Sequence, residues 1–158
     1  MKLKTRDIVY IGFIAALCAV ATTIRIEIPG GAMVHLGSAA LFTTSILFGG
    51  LYGGLGAAIG SALFDLFGGH TQYIVFSFFI KGIAGLIVGG MTAGYLPPSI
   101  NKPTASFSRI LVALIIGAIW TAFGYFIAWW FVLNSAAVAA SKIQYLSLIH
   151  ISEPTRPY

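Results

Sequence analysis

The sequence has very little charge. Only 8% of its 158 residues are Asp, Glu, Lys or Arg, and 58% are hydrophobic, whereas an ordinary soluble domain carries roughly 25% charged residues. A water-soluble surface cannot be built from so few charges. Lipid can replace water when backbone polar groups are satisfied internally, as they are in helices. We therefore predict an all-α, polytopic membrane helix bundle, because the apolar runs also lack the alternation of barrel strands.

Cysteine and clusters of like charge are equally scarce. Cys18 is the lone cysteine, so no disulfide framework can form and no redox compartment can be inferred. The net charge of +5 comes from basic residues scattered at the ends of apolar runs, which never form a patch. We therefore expect the lipid bilayer, and not a nucleic acid, as the macromolecular surrounding.

Motifs for covalent chemistry are absent as well. The chain has no GxxxxGK[ST] phosphate loop, no HExxH and no serine nucleophile elbow, and outside its C-terminal tail the carboxylates are Asp7, Glu27 and Asp65. We predict that the protein is not an enzyme, carries no cofactor and needs a partner to hydrolyse ATP. His35 and His70 could ligate a metal with Asp65, but no close histidine spacing supports a metal site.

Long apolar runs predict about five helices. They cover residues 8–24, 38–48, 51–66, 72–93 and 110–133. The first run is too long for a signal peptide and lacks a cleavage site, so we interpret it as a retained span. A single helix over residues 38–66 would reach about 43 Å, against a hydrocarbon core of about 30 Å. A helical hairpin broken at Gly49-Gly50, with a short first arm, is therefore predicted.

The polar segments complete the organisation. A loop is expected over residues 25–37, and a linker with three prolines follows the fourth helix at residues 96–108. Residues 1–145 are predicted to form one membrane domain. Residues 146–158 are too short and polar to cross a bilayer and resemble a translated sequencing adapter, so we interpret them as a non-native tail and expect the natural protein to continue beyond about Tyr145.

The basic residues predict an orientation in the cell membrane. Cytoplasmic loops of multi-pass proteins hold the excess of Lys and Arg. A cytoplasmic N-terminus places five basic residues inside and two outside, namely Lys2, Lys4, Arg6, Lys102 and Arg109 against Arg25 and Lys142. It also places Glu27, His35, Asp65 and His70 on one side, toward the exterior.

Lys81 lies within an apolar run, where a lysine costs about 2.5 to 3.5 kcal/mol on insertion scales. Its compensation is open between an ion pair with Asp65, which needs Lys81 to extend outward, and contact with a ligand. The segment 65–73 joins two helices with aromatic and polar side chains, a mixture typical of small-molecule pockets. A simple turn capped by Asp65 and Thr71 is the alternative.

Small residues recur at four-residue spacing, which lets membrane helices approach closely. For the glycines at positions 49 and 53, 56 and 60, 85 and 89, and 90 and 94, packing inside the bundle is the favoured interpretation. For Ala15 and Ala19, internal packing and docking on a partner subunit both remain open.

Three stretches together resemble the substrate-binding S component of an energy-coupling factor (ECF) vitamin transporter over about residues 5–145. They are Val34-His35-Leu36-Gly37, Leu47-Phe-Gly-Gly-Leu-Tyr-Gly-Gly54 with Gly60-Ser-Ala-Leu-Phe-Asp65-Leu-Phe, and Phe79-Ile-Lys81-Gly82-Ile-Ala-Gly85-Leu-Ile. The resemblance implies six membrane helices, of which the sixth is missing here. It also implies tight binding of a vitamin or its precursor near the outer face, and association with a transmembrane T component and two ATPase subunits.

Within that family, His35-Leu-Gly37 and Asp65-Leu-Phe67 resemble the members that transport hydroxymethylpyrimidine, pyridoxine or riboflavin. We favour hydroxymethylpyrimidine, the precursor of thiamine, as the substrate. The small-xxx-small pair that contacts the T component in the family corresponds to Ala15 and Ala19. We expect the substrate, a planar heterocycle, to be bound by His35, Asp65, His70, Tyr73, Lys81, Trp129 and Asn134. Two other functions remain open: a structural or pore-forming membrane protein, motivated by the glycine-rich helices, and a small membrane enzyme.

Overall fold

The structure is a computed structural model that describes residues 4–28, 32–95 and 105–133. Five α-helices form the bundle within these ranges: α1 (Thr5–Thr23), α2 (Gly37–Phe48), α3 (Gly50–Phe67), α4 (Ile74–Thr92) and α5 (Phe107–Leu133). A short 3₁₀ helix (Thr71–Tyr73) precedes α4. The predicted all-α bundle is confirmed. The expected sixth helix would follow α5 and lies outside the described residues, as does the predicted tail.

The segment between α1 and α2 forms a β-hairpin, where the sequence analysis expected only a loop. Strands β1 (Arg25–Ile28) and β2 (Ala32–His35) pair antiparallel, with Arg25 opposite His35 and Ile28 opposite Ala32. Alternating Ile and Val residues around Pro29-Gly30-Gly31 are the sequence signature of such a hairpin. The hairpin leads directly into α2.

The break between α2 and α3 occurs at Gly49, as predicted. Its φ of 87° lies in the left-handed region that glycine adopts without strain, and its N–H donates to the carbonyl of Ser45 at 3.0 Å. The first N–H groups of α3 find acceptors beyond the end of α4: Gly50 donates to Gly94 at 2.9 Å and Leu51 to Tyr95 at 3.0 Å. Backbone hydrogen bonds therefore join the start of α3 to the residues that follow α4.

Helix α3 lies between α1 and α4, and glycines create both contacts. A Cβ at Gly60 would meet the carbonyl oxygen of Ala15 in α1, and a Cβ at Gly89 in α4 would meet the backbone of Gly50. Close approach of this kind is how membrane helices gain packing contacts. Internal packing is thus what these glycines do in the structure.

Ala15 belongs to the same internal contact, since it is only 3% exposed, whereas Ala19 is half-buried. The structure therefore supports the internal-packing alternative for Ala15. Docking of a partner on this pair stays a prediction.

In the part of the chain that the structure describes, four helical segments are long and apolar enough to cross a bilayer: Thr5–Thr23, Gly50–Phe67, Thr71–Thr92 and Phe107–Val132. The 12 residues of α2 reach only about 18 Å, so α2 is the short arm that the sequence predicted. Large apolar side chains cover the outside of the bundle, such as Phe13 at 61% and Phe131 at 73% exposure. Such a surface suits lipid.

Candidate functional site

Lys81 is buried where three helices meet. Its side chain on α4 is 3% exposed, and its ammonium donates to the hydroxyl of Ser38 in the first turn of α2 at 2.8 Å. The same nitrogen lies 5.4 Å from the ring centroid of Tyr125 on α5, a cation–π distance. Among the described side chains, which do not include that of Glu27, no carboxylate lies within 4.0 Å of it. The direct ion pair with Asp65 that the sequence left open is not formed.

Asp65 lies in the last turn of α3 and is 8% exposed. Its Oδ2 is buried and has no hydrogen-bond partner in the described part of the chain. The hydroxyl of Ser77 is its polar neighbour on α4, and its charge interacts with that of Lys81 at longer range. The carboxyl thus brings an unused acceptor to the same end of the bundle as Lys81.

The turn after α3 is not the capped turn that was the alternative interpretation. Asp65 lies inside α3, and neither the 3₁₀ helix nor α4 begins with a side-chain cap. The His70 ring instead stacks on Phe64 with ring centroids 6.2 Å apart. The backbone N–H of His70 donates to the backbone carbonyl of Asp65 at 2.8 Å. Its Nδ1 is buried with no partner among the described residues. The last turn of α3 and the turn after it therefore each hold one buried polar atom with no hydrogen-bond partner among the described residues.

His35, at the end of β2, lies outside the membrane-spanning helices. Its Nδ1 accepts a hydrogen bond from the N–H of Gly37 at 3.1 Å, so in the neutral ring the proton is on Nε2. Burial, with further contributions from the charges of Lys81 and Arg25, lowers the pKa of His35 to about 4. At neutral pH the imidazole is uncharged, and its Nε2–H is a donor.

Aromatic side chains of α5 border Lys81. Tyr125 and Trp129 pack with centroids 6.0 Å apart, and Trp129 is 8% exposed. The Tyr125 hydroxyl shares a hydrogen bond of 3.1 Å with Ser77 on α4. Tyr73, in the 3₁₀ helix, is half-buried and interacts electrostatically with Asp65. These rings provide flat apolar surface beside the polar groups.

The structure gathers most of the predicted site residues at one end of the bundle. The charge of Lys81 interacts with His35 and Asp65 at longer range. His70 adjoins Phe64, Trp129 adjoins Tyr125, and Tyr73 interacts with Asp65. Asn134 lies outside the described residues. Within those residues no three His, Cys, Asp or Glu side chains gather as metal ligands would.

Ser38, Ser77 and Tyr125 were missed by the sequence analysis. A usable signal existed, because Ser77 and Lys81 on α4, like Tyr125 and Trp129 on α5, are four residues apart and share a helix face. Ser38 gave no such signal, since its contact with Lys81 spans 43 positions of the chain.

Apolar and aromatic walls with a few polar groups are the composition of a small-molecule site. Comparison with known proteins indicates which family this site belongs to. The family model of the ECF-type riboflavin transporter, S component, matches residues 2–152. The chain belongs to this S-component family. A protein of Pyrococcus woesei is 32% identical over 111 residues, which make up 70% of this chain and 68% of that protein. Its name, "Uncharacterized protein in gap 3'region", states no activity.

Membership confirms the resemblance to ECF S components. The S components are substrate-binding subunits of vitamin-uptake transporters and not enzymes, and they work in a membrane with T and ATPase partners. With four helices able to cross a bilayer, this S component is a multi-pass membrane protein. The match extends to residue 152, past the predicted domain boundary at 145, and that boundary stays a prediction.

Proposed function

We propose that this S component binds a flat vitamin or vitamin precursor with high affinity at the end of the bundle around Lys81 and Asp65, and presents it to an ECF transporter. The family model carries riboflavin in its description, which supports riboflavin as the first ligand to test. The hydroxymethylpyrimidine precursor of thiamine, which the sequence favoured, is the second.

The burial of Lys81 is the observation that carries the proposal. A lysine within an apolar helix costs about 2.5 to 3.5 kcal/mol on insertion scales, and such residues usually mark a functional site. Ser38 and the Tyr125 ring stabilise the ammonium without an adjacent carboxylate among the described residues. A structural ion pair with Asp65 is not formed, and the buried ammonium therefore supports a role in ligand binding.

The aromatic residues support a planar ligand. Tyr125 and Trp129 lie beside the polar groups, and aromatic rings favour offset stacking on other flat π systems. Neutral His35 adds a donor, because its Nδ1 is already occupied by the N–H of Gly37. His70 and Tyr73 complete the proposed lining on the turn before α4, and Asn134 remains part of the proposal from the sequence.

The partners of the proposed transporter are a T component and two ATPase subunits. This follows from the family and from the lack of a phosphate loop in the sequence. We propose that the T component approaches α1 on the side of Ala19, because α3 already covers Ala15. Orientation with the N-terminus in the cytoplasm, argued from the basic residues, would put the ligand site at the outer face.

Fluorescence titration of riboflavin with the purified full chain in detergent tests the binding proposal. We expect saturable quenching at micromolar protein or below, and at least a tenfold loss of affinity in Lys81→Met. Lys4→Met, at the exposed start of α1, is the matched control and should bind like the wild type.

A thermal-shift panel with hydroxymethylpyrimidine, pyridoxine and thiamine decides between the candidate ligands. Stabilisation by the pyrimidine without a response to riboflavin would select the second candidate. If none of these compounds binds and the reconstituted protein conducts ions across bilayers, the pore-forming alternative replaces the proposal.

A further inference from the structure

We propose that Asp65 and Lys81 together recognise one edge of the ligand: the Asp65 carboxylate accepts from an N–H of the ring or of its amino substituent, and the Lys81 ammonium donates to the neighbouring carbonyl oxygen or ring nitrogen. The inference rests on the proposed function and names the chemical class of its ligand. That class is a neutral heterocycle with neighbouring donor and acceptor, such as a lactam, an imide or an amino-substituted imine.

The unpartnered oxygen of Asp65 is the first support. Buried polar groups in proteins are almost always hydrogen-bonded, and each exception needs an explanation. Asp65 is 8% exposed and its Oδ2 has no partner among the described residues. The neighbouring Ser77 hydroxyl shares a hydrogen bond of 3.1 Å with Tyr125 and leaves Oδ2 without a donor. A ligand N–H can therefore supply the donor that Oδ2 lacks.

Unused donors on Lys81 are the second support. An ammonium group has three N–H donors, and one of them is directed to Ser38 at 2.8 Å. The Tyr125 ring faces the charge without accepting a conventional hydrogen bond. Ser38 thereby acts as a positioning residue that holds the nitrogen in place, while the remaining donors stay available to an acceptor on a ligand.

The spacing of the two charges is the third support. Lys81 and Asp65 are farther apart than the 4.0 Å of an ion pair. Both lie beside the hydrogen-bonded pair of Tyr125 and Ser77, Lys81 at the Tyr125 ring and Asp65 next to the Ser77 hydroxyl. A group that both donates and accepts can bridge such a pair, satisfying the anion with its N–H and the cation with its carbonyl or imine nitrogen. Since the two charges balance, a neutral ligand edge fits better than a charged one.

Candidate vitamins differ in this edge. Riboflavin has an imide N–H between two carbonyls, and the thiamine-precursor pyrimidine has an amino group next to a ring nitrogen. Pyridoxine has a single ring nitrogen with no N–H beside it. We therefore expect the protein to bind riboflavin or the aminopyrimidine, and to bind pyridoxine much more weakly.

A chemical and mutational cycle on the full-length protein in detergent tests the inference. Riboflavin and N3-methylriboflavin are titrated against the wild type and Asp65→Ala, which removes the acceptor and opens room for the methyl group. We expect the methyl group to weaken binding at least tenfold in the wild type and less than threefold in Asp65→Ala. Asp7→Ala, a carboxylate deletion in the first turn of α1 beside Tyr52 at the start of α3, should retain the wild-type discrimination.

Further variants keep the test informative if Asp65→Ala does not fold. Asp65→Asn has the shape of a protonated carboxyl, and we expect it to weaken riboflavin binding at least fivefold, whereas unchanged affinity would overturn the role of the carboxylate. Ser38→Ala should weaken binding less than Lys81→Met, because it only loosens the position of the ammonium.

The outcomes separate the inference from the proposed function. Riboflavin binding with equal methyl discrimination in the wild type and Asp65→Ala overturns the inference alone. If only the aminopyrimidine binds, the same cycle is run with its 4-dimethylamino analogue and the same criteria. If neither parent compound binds the wild type, the proposed function fails, and the inference fails with it.

Discussion

His35 lies at the junction of the hairpin and α2, and its surroundings keep its imidazole neutral. Burial, followed by the charges of Lys81 and Arg25, lowers its pKa from 6.5 to about 4. The unfolded state therefore binds more protons between these pH values, and stability falls as the pH drops through this window. Above pH 6.5 the neutral ring imposes no such penalty.

We predict that the thermal unfolding midpoint in detergent decreases from pH 7 to pH 4.5, by an amount equivalent to roughly 3 kcal/mol or less at 1.36 kcal/mol per unit of pKa shift. His35→Asn keeps an acceptor for the N–H of Gly37 but does not titrate, so its midpoint should depend less on pH. Identical pH profiles for the two proteins would show that His35 is not the group responsible.

Single residues also show what the sequence could reveal about the site. Lys81 and Asp65 stood out because charges are rare in apolar runs. Their actual partners could not be predicted, since Ser38 is an ordinary serine that becomes important only when α2 packs on α4. The same holds for Tyr125, one of several aromatic residues on α5 until the fold places its ring near the ammonium.

Helix α3 depends on the absence of side chains at its two contacts. A Cβ at Gly89 would collide with the backbone of Gly50, whereas a Cβ at Gly12 in α1 would meet nothing within 4 Å. Backbone atoms cannot move aside as the end of a flexible side chain can. Overpacking of this kind typically costs 1–3 kcal/mol.

We therefore predict that Gly89→Ala lowers the unfolding midpoint in detergent and weakens ligand binding, because α4 carries Lys81. Gly12→Ala, the same substitution on an exposed helix face, should leave both quantities unchanged. Equal behaviour of the two variants would contradict the tight α3–α4 contact.

The elements themselves followed from simple patterns, with one exception. Uncharged runs longer than a helical turn or two are hard to misread, and Gly49-Gly50 marked the break between α2 and α3. The β-hairpin was missed because its strands have four residues each, too few for alternation to outweigh a Pro-Gly-Gly loop. Short strands depend on their neighbours more than on their own sequence.

At the scale of the whole molecule, the contacts of Lys81 and Asp65 require the turn after α3 and the start of α2 to lie at one end of the bundle. The end of α4 and the start of α5 then lie at the opposite end. With a cytoplasmic N-terminus, we expect the proposed ligand site to face outward and the start of α5 to face the cytoplasm.

Cysteine labelling tests this orientation. In a Cys18→Ala background, Thr71→Cys should react with a membrane-impermeant maleimide in intact cells, and Ser108→Cys should react only after permeabilisation. Both positions are exposed, so access to the side chain does not differ between them. The reverse labelling pattern would invert the proposed topology.

The two hydrogen bonds from the start of α3 to the residues after α4 have a consequence for transport. Because Gly50 and Leu51 use backbone N–H groups and backbone carbonyls of Gly94 and Tyr95, most side-chain replacements leave this tether intact. These bonds link the two ends of the segment 50–95, which carries both Asp65 and Lys81. If the loaded protein tilts against its partners, we expect these two groups to move together.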